Sequence, residues 1–318
     1  MRFISWEKNR LSELVDLWNK ELRADFPMRP ELFEQNSFQD VNLFKMGSQI
    51  VVNDEDGIIG FVVAKKWQDD TDVGISRETG WIQVLLVDSN YRGRGIGKQL
   101  LQHAESALKE CGVKRVLIGM DTWHYFPGVP LEYADSVNWF ERQGYKKGYI
   151  AHDLDCHYEQ NEGLSLPEID DVEFTILREQ ERQTFLSFLK QCFPGRWEYE
   201  AMQYFDKGGT GREFVVAKKR GEIIGFCRIN DAKSPIIAQN VYWAPSYENE
   251  LGGIGPLGID ANERKNRYGL SIVKAAVYYL RKRNIFSIVI DWTELIKFYN
   301  KLGFEVCKSY QSYEKQLD

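Results

Sequence analysis

Residues 81–101 read Trp-Ile-Gln-Val-Leu-Leu-Val-Asp-Ser-Asn-Tyr-Arg-Gly-Arg-Gly-Ile-Gly-Lys-Gln-Leu-Leu. An apolar strand, a glycine-arginine loop and an amphipathic helix follow one another without a break. Gly93, Gly95 and Gly97 allow backbone N–H groups to come close to an anion, and the front of the helix adds unpaired donors and a favourable dipole. Arg92, Arg94 and Lys98 supply charge, so the segment reads as a pyrophosphate cradle. Spacing excludes two better-known phosphate binders. The pattern G-x-x-x-x-G-K-[ST] fails because Arg92 stands where its first Gly belongs and Gln99 where a hydroxyl should hold magnesium. The dinucleotide pattern G-x-G-x-x-G fails because the glycines are spaced G-x-G-x-G, although Asp121 follows a strand at roughly the separation that pattern wants.

A chain of 318 residues exceeds the usual single domain, and two cores of about 150 residues are expected. Its 43% hydrophobic and 28% charged content is that of a globular protein. A net charge of −6 argues against general binding to nucleic acid or to an anionic membrane. The five cysteines are scattered without a C-x-x-C pair, so neither a disulfide framework nor a zinc site is expected, and a reducing cytoplasm fits best. No apolar run approaches the ~18 residues of a membrane span, and no signal peptide is expected.

The chain also repeats itself. Phe26-Pro27-Met28-Arg29-Pro30-Glu31 is echoed by Phe193-Pro194-Gly195-Arg196-Trp197-Glu198, each after an amphipathic helix. Two strand-turn-strand stretches follow, at 50–61 and 214–226. The cradle is answered by Ile259-Asp260-Ala261-Asn262-Glu263-Arg264-Lys265-Asn266-Arg267-Tyr268-Gly269, with a helix behind it. Trp139-Phe140-Glu141-Arg142-Gln143-Gly144-Tyr145 pairs with Phe298-Tyr299-Asn300-Lys301-Leu302-Gly303-Phe304. The offset stays at roughly 165 residues, about one domain length. Residues 159–171 are polar and turn-rich and read as a linker between domains at 1–158 and 172–318.

Arg92-x-x-Gly95-x-Gly97 resembles the R/Q-x-x-G-x-G/A loop of the GNAT superfamily of acyl-CoA-dependent N-acetyltransferases, and the likeness extends over the whole chain as two tandem copies. The resemblance implies an α+β fold of two GNAT-like domains. Each would be a mixed, mostly antiparallel sheet, flanked by helices and splayed between its fourth and fifth strands to admit the pantetheine arm. It implies acetyl-CoA as co-substrate, with Val87, Arg92, Gly93, Arg94, Gly95, Ile96, Gly97 and Lys98 holding it in the first copy. Ile259, Arg264, Lys265, Asn266, Arg267, Tyr268 and Gly269 would hold it in the second. The second loop departs from the pattern, since Arg267 replaces the central Gly; this weakens binding only if the backbone there needs a positive φ.

Acetyl transfer to an amine requires removal of a proton, donors for the oxyanion and an acid for the leaving thiolate. The family's acid is a Tyr four residues before the Gly of the last helix. The second copy has Tyr299 before Gly303, and the first has Phe140 before Gly144, a ring that cannot donate a proton. Asp291, at the end of the run Ser287–Ile290, would point into the splayed notch as a base, or would cap the following helix. Tyr299 is the acid or a packed core ring. Phe193, Arg196 and Trp197, with Trp123 and His124 in the aromatic loop 121–130, are candidates for the acceptor site. His152 and His157, near Asp153 and Asp155, lie on a solvated strand, and no metal is expected.

The expected activity is transfer of acetyl to the primary amine of a small molecule by direct attack in a ternary complex, turned over in the second half. The His-Tyr-Phe-Pro-Gly-Val-Pro loop and Asp291-Trp292-Thr293 look like those of tandem GNAT proteins acting on glucosamine-type amino sugars. Open alternatives are a non-catalytic acyl-CoA sensor, a peptide or protein N-acetyltransferase, and chemistry in the first half through His124 or Asp121. A monomer or homodimer is expected.

Overall fold

The computed structural model describes residues 1–160, 163, 165–264 and 266–317. The chain forms two compact units. Unit 1 comprises Met1–Asp70, Ser76–Ala151 and Lys308–Asp318; unit 2 comprises Thr71–Ile75 and His152–Cys307.

Unit 1 begins with β1 (Arg2–Ser5), α1 (Leu11–Leu22) and α2 (Pro30–Ser37). An antiparallel run follows: β2 (Gln49–Val52), β3 (Ile58–Lys66) and β4 (Thr79–Val87). After α3 (Ile96–Glu110), β5 (Arg115–Ile118) joins β4 in parallel. A short β6 (Val129–Pro130), α4 (Ala134–Arg142) and the long β7 (Lys146–His157) complete this half of the sequence. Helix α3 forms because Ile96, Leu100, Leu101, Ala104 and Leu108 recur at helical spacing and are all buried against the sheet. Each buried leucine contributes about 2 kcal/mol of transfer free energy.

Unit 2 repeats the order with β8 (Val172–Ile176), α5 (Arg182–Cys192), α6 (Arg196–Asp206), β9 (Phe214–Lys219), β10 (Glu222–Asn230) and β11 (Leu251–Ile259). Next come α7 (Tyr268–Lys282), β12 (Ser287–Thr293), the one-turn α8 (Ile296–Tyr299) and β13 (Glu305–Gln316). Buried Ile272, Val273, Ala276, Val277 and Leu280 give α7 the same inward face as α3. Of the expected linker, residues 161, 162 and 164 lie outside the described residues, and the remainder makes one bridge, Ile169 to Val172. Among the described residues no helix is long and apolar enough to cross a membrane.

Both sheets splay between their fourth and fifth strands. In unit 1, β4 and β5 pair over Thr79–Ile82 and Arg115–Ile118. In unit 2, β11 and β12 pair over Leu251–Ile254 and Ser287–Ile290. The fourth strand runs on alone in each case, and its register against the third strand slips at the same place. Val63 faces Val84 while Ala64 faces Ile82, leaving Gln83 extra; Cys227 faces Leu257 while Ile229 faces Ile254, leaving an extra residue at Gly255–Pro256. A bulge bends and twists its strand, so each pair parts where its fourth strand bulges.

The units differ from the division expected at 158 and 172. Beside β5, unit 1 takes Glu314–Gln316 of β13, with Lys315 opposite Val116. Beside β12, unit 2 takes Leu154–His157 of β7, with Cys156 opposite Ile288. Each repeat's last strand thus completes the other repeat's sheet. Both strands are 12 residues long with mixed burial, and nothing in their local pattern assigns them to one sheet or the other.

Candidate active site

The two phosphate loops are built alike. Asp88 accepts the N–H of Asn90, and Asp260 that of Asn262, closing a single 3₁₀ turn in each. Arg92 then reaches back with Nε to the carbonyl of Val87 at 3.0 Å, as Arg264 does to Ile259 at 3.3 Å. Arg92 also pairs with Glu21, so it braces the loop as well as charging it. The residue ahead of each helix is left-handed: Gly95 at φ 79° and Arg267 at φ 63°. The first intrahelical N–H bonds come from Gln99 and Ser271, which leaves the N–H groups of Ile96–Lys98 and Tyr268–Leu270 directed forward, as an anion site requires.

The backbone at position 267 therefore does need a positive φ, and an arginine supplies it at a cost of about 1 kcal/mol relative to an unstrained residue. Arg267→Gly is expected to stabilise unit 2 by about that amount, read as a shifted denaturation midpoint with an unchanged m-value. Loss of stability would show that the guanidinium contributes more than the strain costs.

In unit 1 the loop opens into a cleft of about 610 Å³ lined by Leu85, Val87, Ile96, Phe126, Trp139 and Phe140 among others. Arg92, Gly93, Gly95, Gly97 and Lys98 line it too. Arg94 does not; its guanidinium lies over the Tyr91 ring and donates to the Asn90 carbonyl. In unit 2, Ile259, Arg264, Arg267, Tyr268 and Gly269 surround the corresponding mouth with Phe298 and Lys301. Asn266 turns back to the Glu263 carbonyl, and Lys265 lies outside the described residues.

The units part company past the split. In unit 2, Asp291 follows the last residue paired with β11 and lies inside β12; α8 is capped by no side chain, so Asp291 is not a helix cap. Its Oδ1 accepts Nδ2 of Asn240 at 3.0 Å and sits 3.5 Å from where a Cβ on Gly255 would be. The carboxylate therefore rests against the free stretch of β11. Burial raises its pKa to about 6, partly opposed by the positive Arg196 and the Asn240 bond. Tyr299 is 6% exposed, and burial first, then Cys227 and Asp291, push its phenol well above its ordinary value. No described residue bonds its hydroxyl.

Three other candidates gather at this split. The Phe193 ring lies over Gly258, whose Cβ would meet it at 2.4 Å; Trp197 packs 5.4 Å from Phe193; and Arg196 stacks 4.6 Å over Trp292 while bonding Glu200 at 2.6 Å. Glycine recurs in β11 because side chains press on it: a Cβ at Gly253 would strike Oδ1 of Asn240 at 1.9 Å. Asn240, Asn230, Glu200 and Arg228 were not singled out from sequence. Asn240 sits in the long connection 231–250, which carries no motif, and the glycine-rich Leu251–Ile259 was the only hint that something approaches.

In unit 1 the position after the paired segment is Gly119, at φ 65°, where a Cβ would lie 2.1 Å from the Phe126 carbonyl oxygen. The loop folds back on itself there and leaves no room for a carboxylate. Phe140 occupies the tyrosine position and packs on Tyr145 and Tyr313. Trp123 and His124, expected at the acceptor site, are instead in the interior of unit 1 at 7% and 2% exposure, with His124 against the Asp121 carbonyl. Asp121 is committed to a buried cluster, sharing Lys65 with Asp40 at 2.8 and 2.7 Å. An aromatic-rich loop serves a core as readily as a ligand, and Trp18, Phe26 and Phe33 supply the partners that draw Tyr125 and Phe126 inward.

The model of the acetyltransferase (GNAT) family matches residues 11–126 and 182–304. The chain belongs to the GNAT family. The two matched regions, one in each unit, give it the tandem arrangement. Its fold is similar to that of a glucosamine N-acetyltransferase region in a fungal multi-domain β-N-acetylglucosaminidase, at TM-score 0.88 and 21% identity. That match covers 99% of this chain and 38% of the fungal one. A GNAT protein from Sphaerobacter thermophilus matches at TM-score 0.70 and 13% identity, covering 99% of this chain and 95% of that one. A tandem GNAT protein from the clavulanic acid biosynthesis pathway gives TM-score 0.70 and 13% identity over 99% of this chain and 98% of that one. At these identities the likeness is one of fold. No curated protein matches the sequence.

Proposed function

We propose that this GNAT protein moves acetyl from acetyl-CoA to the primary amine of a small molecule, an amino sugar of the glucosamine type, by direct attack in a ternary complex within unit 2. The observation that carries the proposal is Asp291, a carboxylate at the split between β11 and β12 whose pKa is raised to about 6. A base near that value is charged at neutral pH and still basic enough to take a proton. A sugar amine ionises nearer neutrality than a lysine at about 10.4, so the demand on Asp291 is modest. The residues present suit acetyl-CoA: forward-facing N–H groups for a diphosphate and a parted strand edge for an extended amide arm. The donor supplies an activated acyl group with a thiolate leaving group. Asp291 removes a proton from the bound ammonium, freeing the nitrogen lone pair to form the C–N bond as the C–S bond breaks. Tyr299 passes its phenolic proton to the departing sulfur and recovers one from the new amide nitrogen through solvent. Its raised pKa means that the phenol is protonated in the resting site.

Unit 1 supports a different role. Its cleft and glycine loop fit the same donor, while Gly119 and Phe140 stand where unit 2 has Asp291 and Tyr299. It is proposed as an acyl-CoA-holding half that does not turn over. Tyr299→Phe is expected to lower kcat for thiol release with glucosamine by about 100-fold or more, with little change in KM. Arg92→Glu, in the loop of unit 1, tests whether that half matters to turnover. Full activity in Tyr299→Phe would remove unit 2 as the reacting half.

A further inference from the structure

Unit 2 holds more buried polar machinery near Asp291 than deprotonating an amine requires. Arg228, on β10, is 1% exposed, and its Nε and Nη2 have no hydrogen-bond partner among the described residues. Two residues on, and so on the same face of the strand, Asn230 is fully buried with its Oδ1 also unpartnered. The direction of Asn230 is dictated from the far end of a short chain. An ionised Asp291 can only accept, so Asn240 must turn its NH₂ toward it. The Asn240 oxygen then faces Asn230 and takes an N–H from its Nδ2 at 3.0 Å, leaving the Asn230 oxygen over.

The surroundings do not satisfy Arg228 either. The nearest carboxylate oxygen, on Glu200, is 3.9 Å away, and Glu200 is already held by Arg196. The rings of Tyr204 and Phe214 flank the guanidinium at 5.7 and 6.0 Å. Glu200 and Glu213 favour its charge from a distance, but burial outweighs them and neither offers it a hydrogen bond.

We infer that Arg228 and Asn230 form the hydroxyl-reading end of the acceptor pocket, so that the amine taken by unit 2 carries a hydroxyl. This rests on unit 2 being the half that reacts. An ammonium only donates and leaves Arg228 unmet; a phosphate or carboxylate only accepts and leaves the Asn230 oxygen unmet. A hydroxyl donates to Asn230 and accepts from Arg228 at once. The partly exposed rings of Phe193 and Trp197, gathered at the same split, add an apolar surface suited to the C–H face of a sugar ring.

The test compares kcat/KM for glucosamine with that for cyclohexylamine, a ring amine without hydroxyls. Once each rate is corrected for the ionisation of its amine, wild type should prefer glucosamine by about 100-fold or more, since a site built to bond a hydroxyl rejects an analogue that lacks it. Arg228→Met and, as a smaller change at the neighbouring group, Asn230→Ser should each collapse that ratio at least tenfold. A wild-type ratio near one, or a ratio unmoved in both variants, would mean that these groups hold only water or the fold, and the inference fails. Asp291→Asn separates the two levels. If it stops turnover of both amines while the ratio is unmoved in both Arg228→Met and Asn230→Ser, only the inference falls. If turnover of both amines survives Asp291→Asn, unit 2 is not the reacting half and the inference falls with that reading.

Discussion

Asp291→Asn is expected to lower kcat/KM for acetyl transfer by about 100- to 10,000-fold and, at pH 8, to make unit 2 more stable than it is in the wild type. The two effects share one cause. The folded carboxyl titrates at about 6, against 3.8 for the unperturbed group. Between those values the folded state keeps a proton that the unfolded state has released, so stability falls as pH rises through the window and the full penalty is present above it. A shift of this size corresponds to about 2–3 kcal/mol. An asparagine does not titrate, and its oxygen can still accept the Asn240 N–H, so the variant escapes the penalty. Urea melts of both proteins from pH 4 to 8 should therefore diverge as the pH rises, and the wild-type kcat/KM should show an acid limb near pH 6. A stability difference that does not change with pH would show that the carboxyl is not held in the state a base requires.

The second large effect lies five residues from the end of the chain. Tyr313 is 1% exposed in the core of unit 1, 6.0 Å from the Phe140 ring, and its hydroxyl donates to the Val137 carbonyl at 2.9 Å. Removing such a side chain costs about 3–5 kcal/mol. Tyr313→Ala, although it falls in the second repeat, should loosen the first: amides of β4 and β5 should exchange faster while those of β11 and β12 keep their protection. The reverse pattern would mean that the end of β13 belongs to unit 2.

The distribution of these residues shows what a sequence can and cannot reveal. The phosphate loops were legible because close approach to an anion demands glycine and a helix start at fixed spacing, and the doubled order of features announced two copies of one fold. The splay followed from the family resemblance, while its physical cause, a bulge at Gln83 and at Gly255–Pro256, leaves no distinctive pattern beyond a glycine. The partners of Asp291 escaped notice because Asn240, Asn230 and Arg228 come from separate stretches and acquire meaning only where the chain brings them together. The loop at 121–130 misled for the opposite reason: its rings look alike whether they meet a ligand or, as here, Trp18 and Phe26. The exchanged strands could not be assigned at all, since β7 and β13 are interchangeable by length and polarity until a neighbour is chosen.

That exchange also governs how the molecule is made. When the ribosome has synthesised Ala151, the first unit still lacks Lys308–Asp318, and at about 5–20 residues per second the missing piece arrives roughly 10 to 30 s later. Through that interval the edge of β5 is open in the nascent chain, and the growing second half must emerge before it can be closed. Either repeat, cut from the gene as a contiguous cassette, would leave behind the strand that completes its own unit.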